Sequence, residues 1–303
     1  MRTTHFQDVV GAEGPFVSVC LDVGEHVSLR WRAMRDQLEA EGAFGDLLEL
    51  VDHALTRPLG AVGRGLVVGD GRVLVDEPLP MAPNGYVARF SALPYLLPMV
   101  DLAEPLLPHV VVRVDEHGAD LRGVDAGGRP VAVASVGARE RRLDAAELAD
   151  VAQEATTLVD RLSAPLLVLA GPLPARRSVR VALPGRYHRL VVEVEGAPDR
   201  AVLHLAGRAN QDARRAVVQR FRDEVTGLTG RAVHGLEPVS EALAEGRVET
   251  LLLTDTLVGS RMADGGRADE VLPLLAVAGE AEIVLVGGAV RLHEDVGAIL
   301  LPD

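Results

Sequence analysis

Residues 109–170 carry the pattern that most restricts the fold: three short β-type runs, one long amphipathic helix and one wholly aliphatic run, in that order. HVVVRV, ADLRGVD and RPVAVASV read as strands. The links Glu116-His117-Gly118 and Asp125-Ala126-Gly127-Gly128 are short enough to make them an antiparallel meander. LDAAELADVAQEATTLVDRL repeats apolar residues at three and four, so it reads as one helix. Asp144 is its candidate N-cap, with Glu147 three residues on in a capping-box arrangement. APLLVLAG is a buried strand, and HRLVVEVE is another.

Meander, helix, strand is the order of a ribonuclease-H-like layer, and it is flanked by two further α/β segments. The first opens on FVSVCLDV, a β-type run, followed by helical stretches near His26–Gly42 and Phe44–Leu55. Trp31, Met34 and Leu38 recur at helical spacing as a core stripe. GRGLVVGD and GRVLVDEPL meet at Asp70-Gly71, a strong hairpin signal. A proline-studded stretch from Leu93 to Pro108 ends the segment and places a boundary near residue 105. The last segment follows Gly196-Ala197-Pro198. It holds a long polar helix over 209–228, a short one over Pro238–Glu245, strand ETLLLTD, helix RADEVLPLLAVAG and strand AEIVLVGG. A short strand-like run ends the chain. Alternating α and β implies a partly parallel sheet covered by helices. The expected organisation is three α/β domains: 1–105, 106–203 and 204–303.

Charge is unevenly spread over these segments. The chain of 303 residues has a net charge of −13, and all its basic residues are arginine. Residues 1–107 hold 8 arginines against 15 carboxylates, 108–203 hold 13 against 13, and 204–303 hold 10 against 16. The acidic flanks disfavour nonspecific nucleic-acid binding, so any RNA contact is expected from the neutral middle. Aromatics are 3% of residues, too few for a single-strand stacking platform. No apolar stretch reaches membrane-spanning length, and the N-terminal MRTTHFQDVVGAEGP lacks a signal-type apolar run. With the single Cys20, which cannot build a disulfide framework and reads as a core residue, this points to the cytoplasm.

Motifs for several chemistries are missing. GRGLVVGDG lacks phosphate-loop spacing, and VGGAV near residue 288 reads as a turn. There is no HExxH, no Cys-x-x-Cys and no GxSxG, and no metal or cofactor is expected. Asp115, Glu116, Asp120 and Asp125 cluster around the first hairpin of the middle segment. On a ribonuclease-H-like sheet such carboxylates could hold two metal ions, but turns gather Asp and Glu anyway, and APLLVLAG supplies no further carboxylate. Arginine is dense at Arg139, Arg141 and Arg142 and again at Arg176, Arg177 and Arg180. Both groups read as loops able to grip phosphate, or as solvated charge.

AEGPFVSVCLD, GRGLVVGDGRVLVDEPL, ARFSALPYLLPMVDL and HVVVRVDEHGADL, then LLVLAG, LAEGRVETLLLTD and RADEVLPLLAVAGEAEIVLVGGAV, resemble in order one actinobacterial branch of the bacterial archaeo-eukaryotic release-factor-like family. The wider superfamily includes class-one release factors, Pelota and the hibernation factor Balon. The resemblance implies a decoding-side first domain, a ribonuclease-H-like middle domain and a third domain like the kink-turn-binding ribosomal proteins. That third domain would meet partner proteins such as a translational GTPase. True release factors carry Gly-Gly-Gln in the loop after the third strand of the middle domain. Here that place reads Gly137-Ala138-Arg139-Glu140-Arg141-Arg142, without glutamine, and the lysine-containing stop-codon motif has no counterpart in a chain without lysine. The implied function is a non-catalytic ribosome-binding protein of hibernation or stress. The alternatives are a protein-interaction module without ribosome contact, and an RNA or peptidyl-tRNA hydrolase.

Overall fold

Aliphatic runs at both ends of the chain and in its middle pair into three separate sheets. The computed structural model describes residues 3–57, 62–79, 83, 85–102, 107–125, 130–137, 142–196, 198–227, 230–259, 262 and 266–302. They fall into two compact units, 1–104 with 211–303, and 105–210.

In the first unit, β1 (Phe16–Asp22), β2 (Gly63–Gly69), β3 (Arg72–Leu79) and β4 (Val87–Ser91) form an antiparallel sheet in the order β3-β2-β1-β4. Asp70 and Gly71 take φ of 51° and 66°, the left-handed pair that a two-residue hairpin needs. Helices α1 (Val27–Ala40) and α2 (Gly45–Leu55) cover one face. Trp31, Met34 and Leu38 from α1, with Leu48 and Val51 from α2, pack on Val17, Val19, Leu21 and Leu66. The Trp31 indole donates to Asp52, which also pairs with Arg35, tying α1 to α2. Arg64 on β2 is buried, but its fork makes two 2.7 Å bonds to Asp76 and one of 2.8 Å to the Arg57 carbonyl.

The other face of that sheet shares a core with the end of the chain. Phe16 and Cys20 join Leu96 and Met99, around α3 (Leu97–Leu102), and then Leu272 and Ala276. Ser18 on the same face is fully buried, and its hydroxyl accepts from the Tyr95 N–H at 2.9 Å.

In the second unit, β5 (His109–Val114), β6 (Ala119–Val124) and β7 (Pro130–Val136) form the expected meander. α4 (Ala145–Leu162) then returns the chain so that β8 (Leu166–Ala170) pairs parallel to β5. After α5 (Leu173–Ala182) and a 3-10 turn over Gly185–Leu190, β9 (Val191–Val194) adds parallel to β8. The order is β7-β6-β5-β8-β9. The capping box is present: Asp144 accepts from the Glu147 N–H at 2.9 Å, and Glu147 from the Asp144 N–H at 3.0 Å. Buried residues of α4 and α5 cover one face, and Val202 and Leu205 cover part of the other.

Val202 and Leu205 belong to α6 (Pro198–Thr226), which starts eleven residues before the expected long helix. Proline cannot donate an N–H, and the first helical position needs none, so Pro198 opens the helix rather than ending a linker. Residue 203 lies inside α6, and the compact units divide at 210/211. The remaining elements are β10 (Ala232–His234), α7 (Leu236–Ala244), β11 (Val248–Leu253), α8 (Ala268–Ala278), β12 (Glu282–Leu285) and β13 (Val296–Leu300). Their sheet runs β10-β13-β11-β12, with only β11 and β12 parallel. The glycines of VGGAV make a 3-10 turn.

The two sequence segments of the first unit are clamped by charge as well as by apolar contact. Arg89 on β4 reaches Glu270 at 3.0 Å and Asp269 at 3.5 Å, both in the first turn of α8. Arg267 holds the same Asp269 at 2.8 Å. Asp269 is fully buried, and Arg89 also stacks 3.6 Å over the Tyr95 ring, whose phenol is pushed up by burial. Gln7 adds a 2.8 Å bond to the Val277 carbonyl. Removing one cation from a buried carboxylate is destabilising. Arg89→Ala is expected to cost about 2 kcal/mol, part of the penalty being relieved by the remaining Arg267. Urea unfolding followed through Trp31, the single tryptophan and a core residue of this unit, measures it. An unchanged midpoint would show that the clamp contributes nothing.

Candidate functional site

The candidate site is built where β7 hands over to α4. Gly137 ends the strand with φ 106°, and a Cβ there would lie 2.7 Å from the His117 carbonyl oxygen, so a side chain has no room. The β5–β6 turn it crosses is held by Asp115, whose Oδ1 accepts from the N–H groups of His117 at 2.7 Å and Gly118 at 2.9 Å. On the other side, the Leu143 N–H donates to the Glu116 carbonyl at 2.9 Å. Arg142 donates to the Glu116 side chain at 2.6 and 3.0 Å. The link therefore packs on the hairpin at Gly137 and is hydrogen-bonded to it at Arg142 and Leu143 before Asp144 starts α4. Arg139 and Arg141 lie outside the described residues.

The second arginine group corrects a sequence expectation. Arg176, Arg177 and Arg180 sit on α5 and not in a loop. The two prolines of Gly171-Pro172-Leu173-Pro174 fall at the N-cap and first turn of α5, where a missing N–H costs nothing. Gly171, with φ 133°, lets the chain turn against β5: a Cβ there would be 1.9 Å from the Val114 carbonyl oxygen. The helix gives the arginines different roles. Arg176 is buried, and its Nε has no hydrogen-bond partner among the described residues. Arg177 is exposed. Arg180 pairs with Glu193 on β9 at 2.9 Å.

A cleft of about 800 Å³ opens at the carboxyl ends of β5 and β8, lined by Arg113, Asp115, His117, Asp120, Ser135 and Glu195 among others. Such ends are where open α/β sheets bind ligands. Of the carboxylates weighed for metal chemistry, Asp115 and Asp120 line this cleft, while Glu116 and Asp125 do not. Asp115 closes its turn, Glu116 holds Arg142, and Asp120 accepts from Ser135 at 2.7 Å. Asp125 follows the far end of β6, roughly 17 Å along an extended strand. Among the described residues no group of three or more His, Cys, Asp or Glu could hold a metal ion.

One feature absent from the sequence expectations lies just beyond α5. Arg186, Tyr187, Arg189 and Leu190 line a groove of about 540 Å³ against Asp160, Ser163 and Pro165 at the end of α4. The signal was available: residues 173–190 contain five arginines and no carboxylate.

No protein-family model matches the chain. Two uncharacterized proteins of Mycobacterium tuberculosis, from strains H37Rv and CDC 1551, are each 28% identical to it over 361 residues, covering 99% of this chain and 96% of the relative. Among solved structures the chain is similar to Archaeoglobus fulgidus Pelota (13% identity, 99% of this chain and 92% of that one, TM-score 0.41). It is also similar to a chain of the ribosome-bound archaeal Pelota and ABCE1 complex (16%, 99% and 93%, TM-score 0.43). Archaeal termination factor aRF1 overlaps less well, at 16% identity over 97% of this chain and 94% of that one, with a TM-score of 0.26. All three TM-scores lie below 0.5, so these are weak likenesses.

No described helix is long and apolar enough to cross a membrane. Cys20 is fully enclosed, and burial pushes its thiol up to about 12. The thiolate is the reactive form, so Cys20 is expected to resist a disulfide reagent at pH 8 until the protein is unfolded. Rapid labelling of native protein would contradict its burial. Arg176→Met should leave stability equal or higher, by up to about 1 kcal/mol, because it removes a shielded unpaired donor while keeping the packed stem. A lowered thermal midpoint would show that Arg176 has a partner that matters.

Proposed function

We propose that this chain is a non-catalytic, ribosome-associated protein of the release-factor-like kind, from the actinobacterial branch, acting in hibernation or stress. The observation that carries the reading is the join between β7 and α4. Peptidyl-tRNA hydrolysis needs a flexible loop that positions water at the ester. Here only residues 137–143 separate Val136 from Asp144, the link packs against the β5–β6 hairpin at Gly137 and is hydrogen-bonded to it at Arg142 and Leu143, and none of the intervening residues is glutamine. The ordered sequence resemblance supports the family. The order β7-β6-β5-β8-β9, with three antiparallel and two parallel strands, supports a ribonuclease-H-like middle domain.

In this reading the chain has three domains, near 1–105, 106–203 and 204–303. The third resembles kink-turn-binding ribosomal proteins and meets a partner such as a translational GTPase, in the cytoplasm. RNA is met by the middle domain through Arg139, Arg141 and Arg142, and through Arg177 and Arg180 on α5. Burial withdraws Arg176 from the second group. Phosphate contacts weaken with salt by about 0.7–0.9 log unit per contact per tenfold change. Substituting Arg139, Arg141 and Arg142 by alanine is expected to lower ribosome affinity and flatten its salt dependence, with the fold intact because the described pair it breaks, Arg142 with Glu116, joins two largely exposed side chains. Co-sedimentation with ribosomes from starved and growing cells tests this. A wild-type chain that stays in the supernatant at every salt concentration would defeat the ribosome reading. Release of labelled peptide from loaded ribosomes above a no-protein control would defeat the non-catalytic one.

A further inference from the structure

Five arginines without one carboxylate in residues 173–190 make this a purely basic stretch in an acidic chain. Folding sorts them. Arg176 is buried and Arg180 is paired with Glu193, which leaves Arg177, Arg186 and Arg189 exposed. Arg186 and Arg189 both line the groove of about 540 Å³ at the end of α4. Arg189 makes no ion pair among the described residues. Arg186 reaches Asp160 only at 3.4 Å, with the two side chains 74% and 61% exposed, so the pair is weak. Asp160 already accepts a 2.7 Å bond from the Tyr187 hydroxyl, and it loses little if Arg186 turns to another anion.

The groove has more than charge. The Arg186 guanidinium lies 4.6 Å from the Tyr187 ring centroid and donates to the Tyr187 hydroxyl. Pro165 and Leu190 supply apolar surface to the groove, with Val159 and Ala164 beneath them. Two guanidinium groups beside an apolar floor suit one nucleotide, its phosphodiester on the arginines and its base and ribose on the floor. A carboxylate of an acidic peptide would use the charges and not the floor.

We propose that this groove, formed by Arg186, Tyr187 and Arg189 against the end of α4, is a single-stranded RNA subsite that takes one nucleotide, its phosphate on the two guanidinium groups. The inference rests on the ribosome-associated reading for its biological target but not for its chemistry. Fluorescence anisotropy of labelled oligouridylate, titrated with the full chain across a salt series, tests it. Arg186→Ala with Arg189→Ala is expected to weaken binding at least about tenfold. It should also reduce the log–log salt slope by about 1.4, which is two single-strand contacts. Arg189→Ala alone, which breaks no bond of the fold, should lower the slope by about 0.7.

Unchanged affinity and slope in both variants would overturn the subsite. So would displacement of the RNA by polyglutamate at equal charge concentration, which would mark an undiscriminating anion face. Ribosome co-sedimentation run beside it separates the two readings. If wild type sediments with ribosomes while the variants hold oligouridylate normally, the groove fails and the ribosome reading stands. If wild type does not sediment but the variants lose oligouridylate, the groove stands and the ribosome reading fails.

Discussion

The parallel pairing of β8 against β5 is the constraint on which the middle of this molecule depends. An antiparallel neighbour can be reached through a two-residue turn, but a parallel one demands a crossover. α4 is that crossover, and its 18 residues set the distance at which β8 can start. β8 is buried at every residue, so the pairing cannot slip without exposing aliphatic surface. Once β5 and β8 lie side by side, their carboxyl ends must face the same way. The β5–β6 turn, the Gly137 link and the Gly171 bend then meet at one edge. The cleft and the arginine-bearing link are consequences of strand direction.

A different device fastens the first unit. Its two sequence segments are separated by more than one hundred residues of chain, so no short connection holds them in register. The apolar core running from Phe16 to Leu272 supplies most of the attraction, but apolar contact is not directional. The Arg89–Asp269–Arg267 arrangement is. Asp269 has no exposure to solvent and two guanidinium partners, one from each segment, so a displaced register would strand a buried carboxylate. The cluster contributes specificity more than net stability.

Much of this fold is legible in the sequence because the relevant signals are local. Asp70-Gly71 reports its own backbone conformation, and Asp144 with Glu147 needs only three residues to announce a helix start. The meander and its crossover follow from run lengths and link lengths. What fails is local signal with two meanings. The arginines at 176, 177 and 180 read as a loop, yet Pro172 at the N-cap and Pro174 in the first turn begin a helix there. Pro198 repeats the ambiguity at α6. The clamp between Arg89 and Asp269 cannot be seen at all, because no periodicity in the long intervening chain links the two positions.

Arginine counts show most clearly where sequence reasoning about a site stops. Arg64 and Arg176 are both buried, and nothing in their immediate sequence distinguishes them from exposed neighbours. Arg64 has three hydrogen bonds waiting, including both oxygens of Asp76, and its burial is balanced. Arg176 has a shielded Nε with no partner among the described residues. One position further on, Arg177 points to solvent because a helix turns about 100° per residue. A cluster of basic letters is therefore a mixture of fates, and only the guanidinium groups left exposed after packing can meet a phosphate. On that criterion the balance shifts from Arg176 and Arg180 towards Arg186 and Arg189, whose charge is offset only by a long contact to Asp160. The same filter shows how a chain of net charge −13 keeps a basic surface: Asp115, Asp144 and Glu193 of this unit are drawn into a turn, a cap and a pair, while the acid-free stretch from 173 to 190 keeps Arg177, Arg186 and Arg189 exposed.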